Sequence, residues 1–282
     1  MDNFFSPKET AESFDNISIN KAKNTSGTLF ILGILAGVYI AFAGFASQTI
    51  SYTIDNPGVA KFASGAVFPV GLILVVIAGA ELFTGNNLMI IGVMDKKISF
   101  NELLRNWIIV YTANFIGSVL FAYLVSRSGL FDSSNGYLGI TIIRTAIGKV
   151  SLPFRQALIR GILCNIMVVL AVWMATAAKD VVSKIFAIWF PIMLFVMSGF
   201  EHSIANMYFI PAGIFAKSNT AYLNGGQFEA ASLSRLNIGG LFSNLIPVTL
   251  GNIIGGAIVI GLAYWYVYRY TPSKAVNKQN KN

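Results

Sequence analysis

Gly199-Phe-Glu-His-Ser-Ile-Ala-Asn-Met-Tyr-Phe-Ile-Pro211 places the only histidine of the 282-residue chain, His202, beside Glu201 in the middle of a long apolar run. At the centre of a bilayer each ionisable side chain costs about 2.5 kcal/mol or more, so such a pair is kept where it has a task. This placement predicts a permeation pathway.

Working outward, apolar runs long enough to cross a bilayer as helix recur at 28–48, 62–94, 106–125, 156–178, 183–217 and 245–268. Hydrophobic residues make up 55% of the chain and charged ones 11%, which fits an all-α membrane protein of six spans. The polar first 27 residues and the long first run predict no cleavable signal peptide. The organisation expected is a cytoplasmic N-terminal segment with an amphipathic helix (1–27), a pore domain (28–268) and a basic cytoplasmic tail (269–282). Ser6-Pro-Lys-Glu9 reads as a helix start, and Ala11, Phe14 and Ile17 give that helix one apolar stripe.

The net charge of +8 does not point to nucleic acid, because the basic residues are spread over loops and tails. They report topology instead. With an inside N-terminus, twelve fall on the inner side, among them Lys21, Lys96, Lys97, Arg105, Lys274, Lys278 and Lys281, and eight on the outer side. Both termini are therefore expected in the cytoplasm of a multi-pass protein of a bacterial cytoplasmic membrane. The lone Cys164 lies within a span and forms no disulfide inside the chain.

The spans repeat. Gly33-Ile-Leu-Ala resembles Gly161-Ile-Leu-Cys, Glu81-x4-Asn86 resembles Glu201-x4-Asn206, and Asn114-Phe-Ile-Gly117 resembles Asn252-Ile-Ile-Gly255, in one order and separated by 120 to 138 residues. Each half holds three spans, so the second copy enters the membrane inverted. Inverted repeats with helices broken in matching places, here the second and fifth at Glu81–Asn87 and Glu201–Met207, place a transport site at the midplane. Glu81 and Glu201 are expected to accept the N–H groups freed at each break. The half-helices should restart after Asn86/Asn87 and after Asn206, aiming positive dipole ends at the pathway, which suits an anion. Thr84 offers a hydroxyl in the first break. Phe68, Leu72, Leu82 and Phe83 flank that break, with Val168 and Phe195 from the second half, and would make dry walls. Asn165 and Asn252 need partners, from backbone or from His202. Arg144, Lys149 and Arg155 put positive charge at the outer mouth.

Glu81-Leu-Phe-Thr-Gly-Asn86, Arg160-Gly-Ile-Leu-Cys-Asn165, Ser198-Gly-Phe-Glu-His-Ser-Ile-Ala-Asn-Met207 and Asn244-Leu-Ile-Pro-Val-Thr-Leu-Gly-Asn252 together closely resemble the signatures of the formate–nitrite transporter family. The resemblance covers about residues 10 to 270. It implies a homopentamer whose protomers each hold an aquaporin-like six-helix pore, with His202 as the central histidine, Thr84 as its partner, Asn252 near it and Asn165 as a polar pore position. It further implies that Phe68, Leu72, Leu82, Phe83, Val168 and Phe195 build hydrophobic constrictions, that Lys149 draws anions in from outside, and that the N-terminal helix can rearrange. The substrates implied are small monovalent anions together with protons. Among the branches, the chain is most similar to the hydrosulfide channels, with formate next and nitrite also within range.

The rival within this fold is a facilitator of small neutral solutes. It would need paired Asn-Pro-Ala boxes, and Asn56-Pro57-Gly58 lies in a loop. The rival from another class is a membrane enzyme. One histidine and one cysteine give no histidine-pair metal site, bis-histidine haem or dithiol centre, so no cofactor is expected.

Overall fold

The computed structural model describes residues 4–271. The tail lysines Lys274, Lys278 and Lys281, with most of the 269–282 segment, lie outside the described residues. Within them the chain is helical apart from connections and one isolated bridge between Phe4 and Ala178. In chain order the helices are α1 (Pro7–Lys23), α2 (Ser26–Ser51), α3 (Pro57–Gly79), α4 (Gly85–Met94), α5 (Phe100–Arg127), α6 (Tyr137–Val150), α7 (Phe154–Ala177), α8 (Val181–Met197), α9 (Ser203–Ala216), α10 (Thr220–Gly226), α11 (Ala230–Arg235) and α12 (Ile238–Tyr270).

The starts follow local chemistry. Ser6 and Ser99 form capping boxes with Glu9 and Glu102, and Thr25, Asn56, Asp180 and Asn237 each accept a first-turn N–H. Five helices are long and apolar enough to cross a membrane: α2, α3, α5, α7 and α12. The sixth crossing is shared by two shorter apolar helices, α8 and α9, and α4 completes the crossing begun by α3. Both breaks open on a glycine at positive φ, Gly79 (φ 88°) and Gly199 (φ 71°), where a side chain would be strained.

The contacts of the two halves correspond in order. α1 matches α6, α2 matches α7, α3 and α4 match α8 and α9, and α5 matches α12. In each half the first and last spans cross at very short range. A Cβ on Gly37 would stand 2.2 Å from the Asn114 carbonyl oxygen, and one on Gly255 2.2 Å from that of Ile162. Hydrocarbon offers no hydrophobic drive between helices, so this closeness supplies the packing.

The N-terminal helix is built into this symmetry. Ser18 of α1 seats on Gly92 of α4 as Ala146 of α6 seats on Gly213 of α9. Phe14 stacks on Trp173 at 5.3 Å, and Arg105 donates to the carbonyls of Ala22 in the last turn of α1 and of Asn24 just past it. At the other end Arg269 binds Asp15 and Asp95, each at 2.7 Å, with Glu12 at 3.6 Å. Burial raises the pKa of Asp15, and the Asp95 carboxylate reinforces that shift while Arg269 opposes it. Docked Asp15 thus holds its proton to higher pH than a solvated aspartate, and proton uptake favours docking. Docking of α1 is expected to tighten as pH falls toward the carboxylate range, a gain lost as pH rises through the raised value. Hydrogen exchange over residues 10–20, normalised to intrinsic rates, should slow as pH falls toward the carboxylate range, and Asp15→Asn should flatten the trend. Faster opening on acidification would contradict it.

Candidate functional site

A break at membrane depth frees backbone groups that lipid cannot satisfy. Two asparagines satisfy them in the same way. Asn114 on α5 accepts from Phe83 N–H (3.0 Å) and donates to the carbonyls of Gly33 (2.7 Å) and Glu81 (2.9 Å). Asn252 on α12 accepts from Ser203 N–H (2.9 Å) and donates to Gly161 (2.8 Å) and Glu201 (3.0 Å). The glutamates, to which the sequence reading gave this work, do something else. A carboxamide carries donors and an acceptor and can serve both kinds of backbone group. A carboxylate only accepts, and in a dry site it needs a cation.

Each glutamate has one. Glu81 takes Lys21 at 2.8 Å and Asn86 at 2.7 Å, and Asn86 also donates to Asn106. Glu201 takes Lys149 at 2.7 Å and Asn206 at 2.7 Å, and Asn206 also donates to Asn244. The two stations are the same arrangement inverted. Lys21, Asn86, Asn106, Asn206 and Asn244 escaped the sequence reading as site residues. One signal was available: Lys21 and Lys149 each precede the matched Gly33 and Gly161 by twelve residues.

Symmetry fails at His202, whose counterpart in the first break is Leu82. His202 is the N-cap of α9: Nδ1 accepts the Ala205 N–H at 3.1 Å. The second half-helix therefore restarts at Ser203, ahead of Asn206, which is occupied by Glu201. In the first break the helix resumes at Gly85 as a 3₁₀ turn. With Nδ1 an acceptor, the ring proton sits on Nε2 and is donated to the Thr84 hydroxyl at 2.9 Å. A proton on Nδ1 would face Ala205 N–H and the positive helix end, so the cap keeps Nδ1 an acceptor. Asn252 makes no hydrogen bond to the ring. It shapes the backbone on which the ring stands. Asn165 donates to the carbonyls of Thr84 (3.3 Å) and Asn252 (2.7 Å), joining the two halves behind the pathway.

Three cavities follow one another through the protomer. A vestibule of about 320 Å³ on the α6 side is bordered by Lys149, Asn206, His202, Phe68 and Phe195. Another of about 430 Å³ on the α1 side is bordered by Lys21, Glu81, Asn86, Leu72 and Leu82. Between them lies a chamber of about 10 Å³ enclosed by Ile40, Phe68, Leu72, Leu82, Val168, Ile192, Phe195 and His202. The rings of Phe68 and Phe195 meet edge-on at 5.6 Å and close one side of it. Of the six expected wall residues, five stand here. Phe83 does not: its ring packs on Trp107 and Tyr111, and Ile40 and Ile192 take part instead. Phe14 and Ile17 of α1 also border the α1-side vestibule.

Comparison with known proteins agrees over nearly the whole length. A family model described as formate/nitrite transporter matches residues 8–266. The chain is 42% identical to a probable formate transporter of Methanothermobacter thermautotrophicus, covering 94% of this chain and 97% of the relative. It is 38% identical to the formate channel FocA of Escherichia coli K12, covering 93% and 94%. Among solved structures, a pentameric formate channel with formate bound aligns with a TM-score of 0.77 at 36% identity, over 86% of this chain and 97% of that one. An FNT family ion channel aligns with a TM-score of 0.79 at 30% identity, over 92% and 98%.

Proposed function

The chain belongs to the formate/nitrite transporter family of membrane channels and is not an enzyme, and from this we propose that it passes small monovalent weak-acid anions, formate foremost, as a homopentamer with one pore per protomer. The observation that carries the reading is the pair of inverted Lys–Glu–Asn stations on either side of a dry chamber. Formate is favoured because the named relatives are formate channels. Hydrosulfide and nitrite, having the same charge and similar size, are the other candidates. The excess of basic residues favours the α1 side in the cytoplasm and the α6 side outside.

Lys149 outside and Lys21 inside attract the anion, and the glutamates hold the ammonium groups in place. Neither lysine is free to bind tightly, which suits conduction. The chamber sets the next condition. A bare anion among Phe68, Leu72, Leu82 and Phe195 would lose its hydration with no charge to replace it, whereas its conjugate acid crosses at far lower cost. The anion therefore takes up a proton at the edge of the chamber, and transport follows the proton gradient. His202 offers Nε2–H through Thr84 as a hydrogen-bond path at that edge. Because its Nδ1 caps α9, the ring orients the permeant and the proton arrives from the vestibule.

Purified protein in liposomes should carry formate rapidly, faster on the acidic side, and negligible sodium or potassium. A permanently charged anion of similar size passing as fast as formate at every pH would overturn the protonation step. Comparable cation flux would overturn anion selectivity. Rapid swelling in neutral solutes without formate flux would return the reading to a facilitator.

A further inference from the structure

Donors in the outer vestibule are almost all spoken for. The hydroxyls of Ser47, Ser51 and Ser64 donate to backbone carbonyls, as do those of Thr141 and Thr145. Both hydrogens of the Asn206 amide are used by Glu201 and Asn244. Apart from the ammonium groups of Lys61 and Lys149, Gln48 is the exception. It borders this vestibule from α2, is only 5% exposed, and its Nε2 is buried with no partner.

The orientation of this amide is set from behind. Its Oε1 accepts the Tyr208 hydroxyl at 3.0 Å, and Tyr208 is fully buried, its ring packed against Phe121 and Phe209. The N–H groups are thereby left for something that is not backbone. The inverted half has no equivalent. Thr176 stands at the matching place in the inner vestibule and spends its hydroxyl on the Val172 carbonyl, and Leu88 replaces Tyr208. A buried donor left unmade costs about as much as a hydrogen bond returns, so one kept in the wall of a vestibule calls for an acceptor there.

Resting on the proposed function above, we infer that Gln48 is a specificity-determining residue. Its amide N–H donates to an oxyanion held near Lys149 in the outer vestibule, favouring carboxylate or nitrite oxygens over the sulfur of hydrosulfide. Sulfur is the weaker acceptor, so hydrosulfide gains little from the same donor.

The test is uptake of formate and of hydrosulfide into liposomes by wild type, Gln48→Met and Tyr208→Phe, each checked for oligomer size and melting temperature. Gln48→Met keeps length and loses the N–H, and the half-saturating formate concentration should rise about tenfold, the worth of one hydrogen bond to a charged group. Hydrosulfide should change less than twofold. Tyr208→Phe keeps the ring and releases the amide, and the preference for formate over hydrosulfide should fall about threefold. Should Gln48→Met fail to assemble, Tyr208→Phe decides. An unchanged preference in an assembled variant, or equal shifts for both anions, would overturn the inference while leaving a formate-conducting wild type intact. A wild type that passes no formate overturns the reading of the pore and this inference with it.

Discussion

Asn252→Leu should yield no stable oligomer and less than a tenth of wild-type flux. The substitution nearly keeps volume but strips three hydrogen bonds, leaving the Ser203 N–H and the Glu201 carbonyl buried without partners and the Gly161 carbonyl with only its bond inside α7. At about 1–3 kcal/mol for each orphaned group, the loss rivals the whole stability of many domains. Asn114→Leu should do the same through Phe83, Gly33 and Glu81. Asn165→Leu, which removes two donated bonds, should be milder. Sizing in detergent and thermal unfolding read the outcome. An Asn252→Leu protein that melts with the wild type would mean the break is held by something other than this clamp.

The second large effect is functional, and two substitutions at His202 separate its roles. His202→Phe keeps ring bulk but removes the cap of α9, at about 1 kcal/mol, together with the bond to Thr84. His202→Asn restores a good capping side chain and removes the ring. Both should assemble, His202→Asn with a melting temperature near wild type. In both, the flux ratio of formate to a permanently charged anion should change at least tenfold and lose its normal pH profile. Thr84→Val should shift the ratio the same way but less, since it removes one hydroxyl. If His202→Asn restores selectivity and pH response, the histidine is a cap and nothing more.

Much of this was legible in the sequence because the bilayer imposes simple rules. Span length, the cap at Ser6, and the doubled Glu-x4-Asn and Asn-x2-Gly patterns locate the first helix, the crossings and both breaks. The shortfalls have a common cause: a sequence pattern does not say which neighbour a side chain meets. Asn206 has the look of a helix cap, but Glu201 engages it and the cap falls to His202, a residue type less often used there. Lys21 reads as one more cytoplasmic charge until α1 is seen docked through Ser18 on Gly92, which brings its ammonium to Glu81. Phe83 has the composition of a pore wall, and only the turn of the chain after Leu82 sends its ring toward Trp107. Gln48 gives no signal at all, since an amide at the end of an apolar span resembles a solvated terminus.

The chamber of about 10 Å³ has room for about one water-sized particle. A chain of hydrogen-bonded waters, along which protons hop rapidly, cannot form through such a space. Under the proposed mechanism an idle pore would leave the electrochemical gradient intact. Each proton that crossed would ride on a permeant molecule, so the traffic in weak acid and the discharge of the gradient would be counted one for one. A cell carrying such a pore would spend membrane energy only in proportion to the acid it moved.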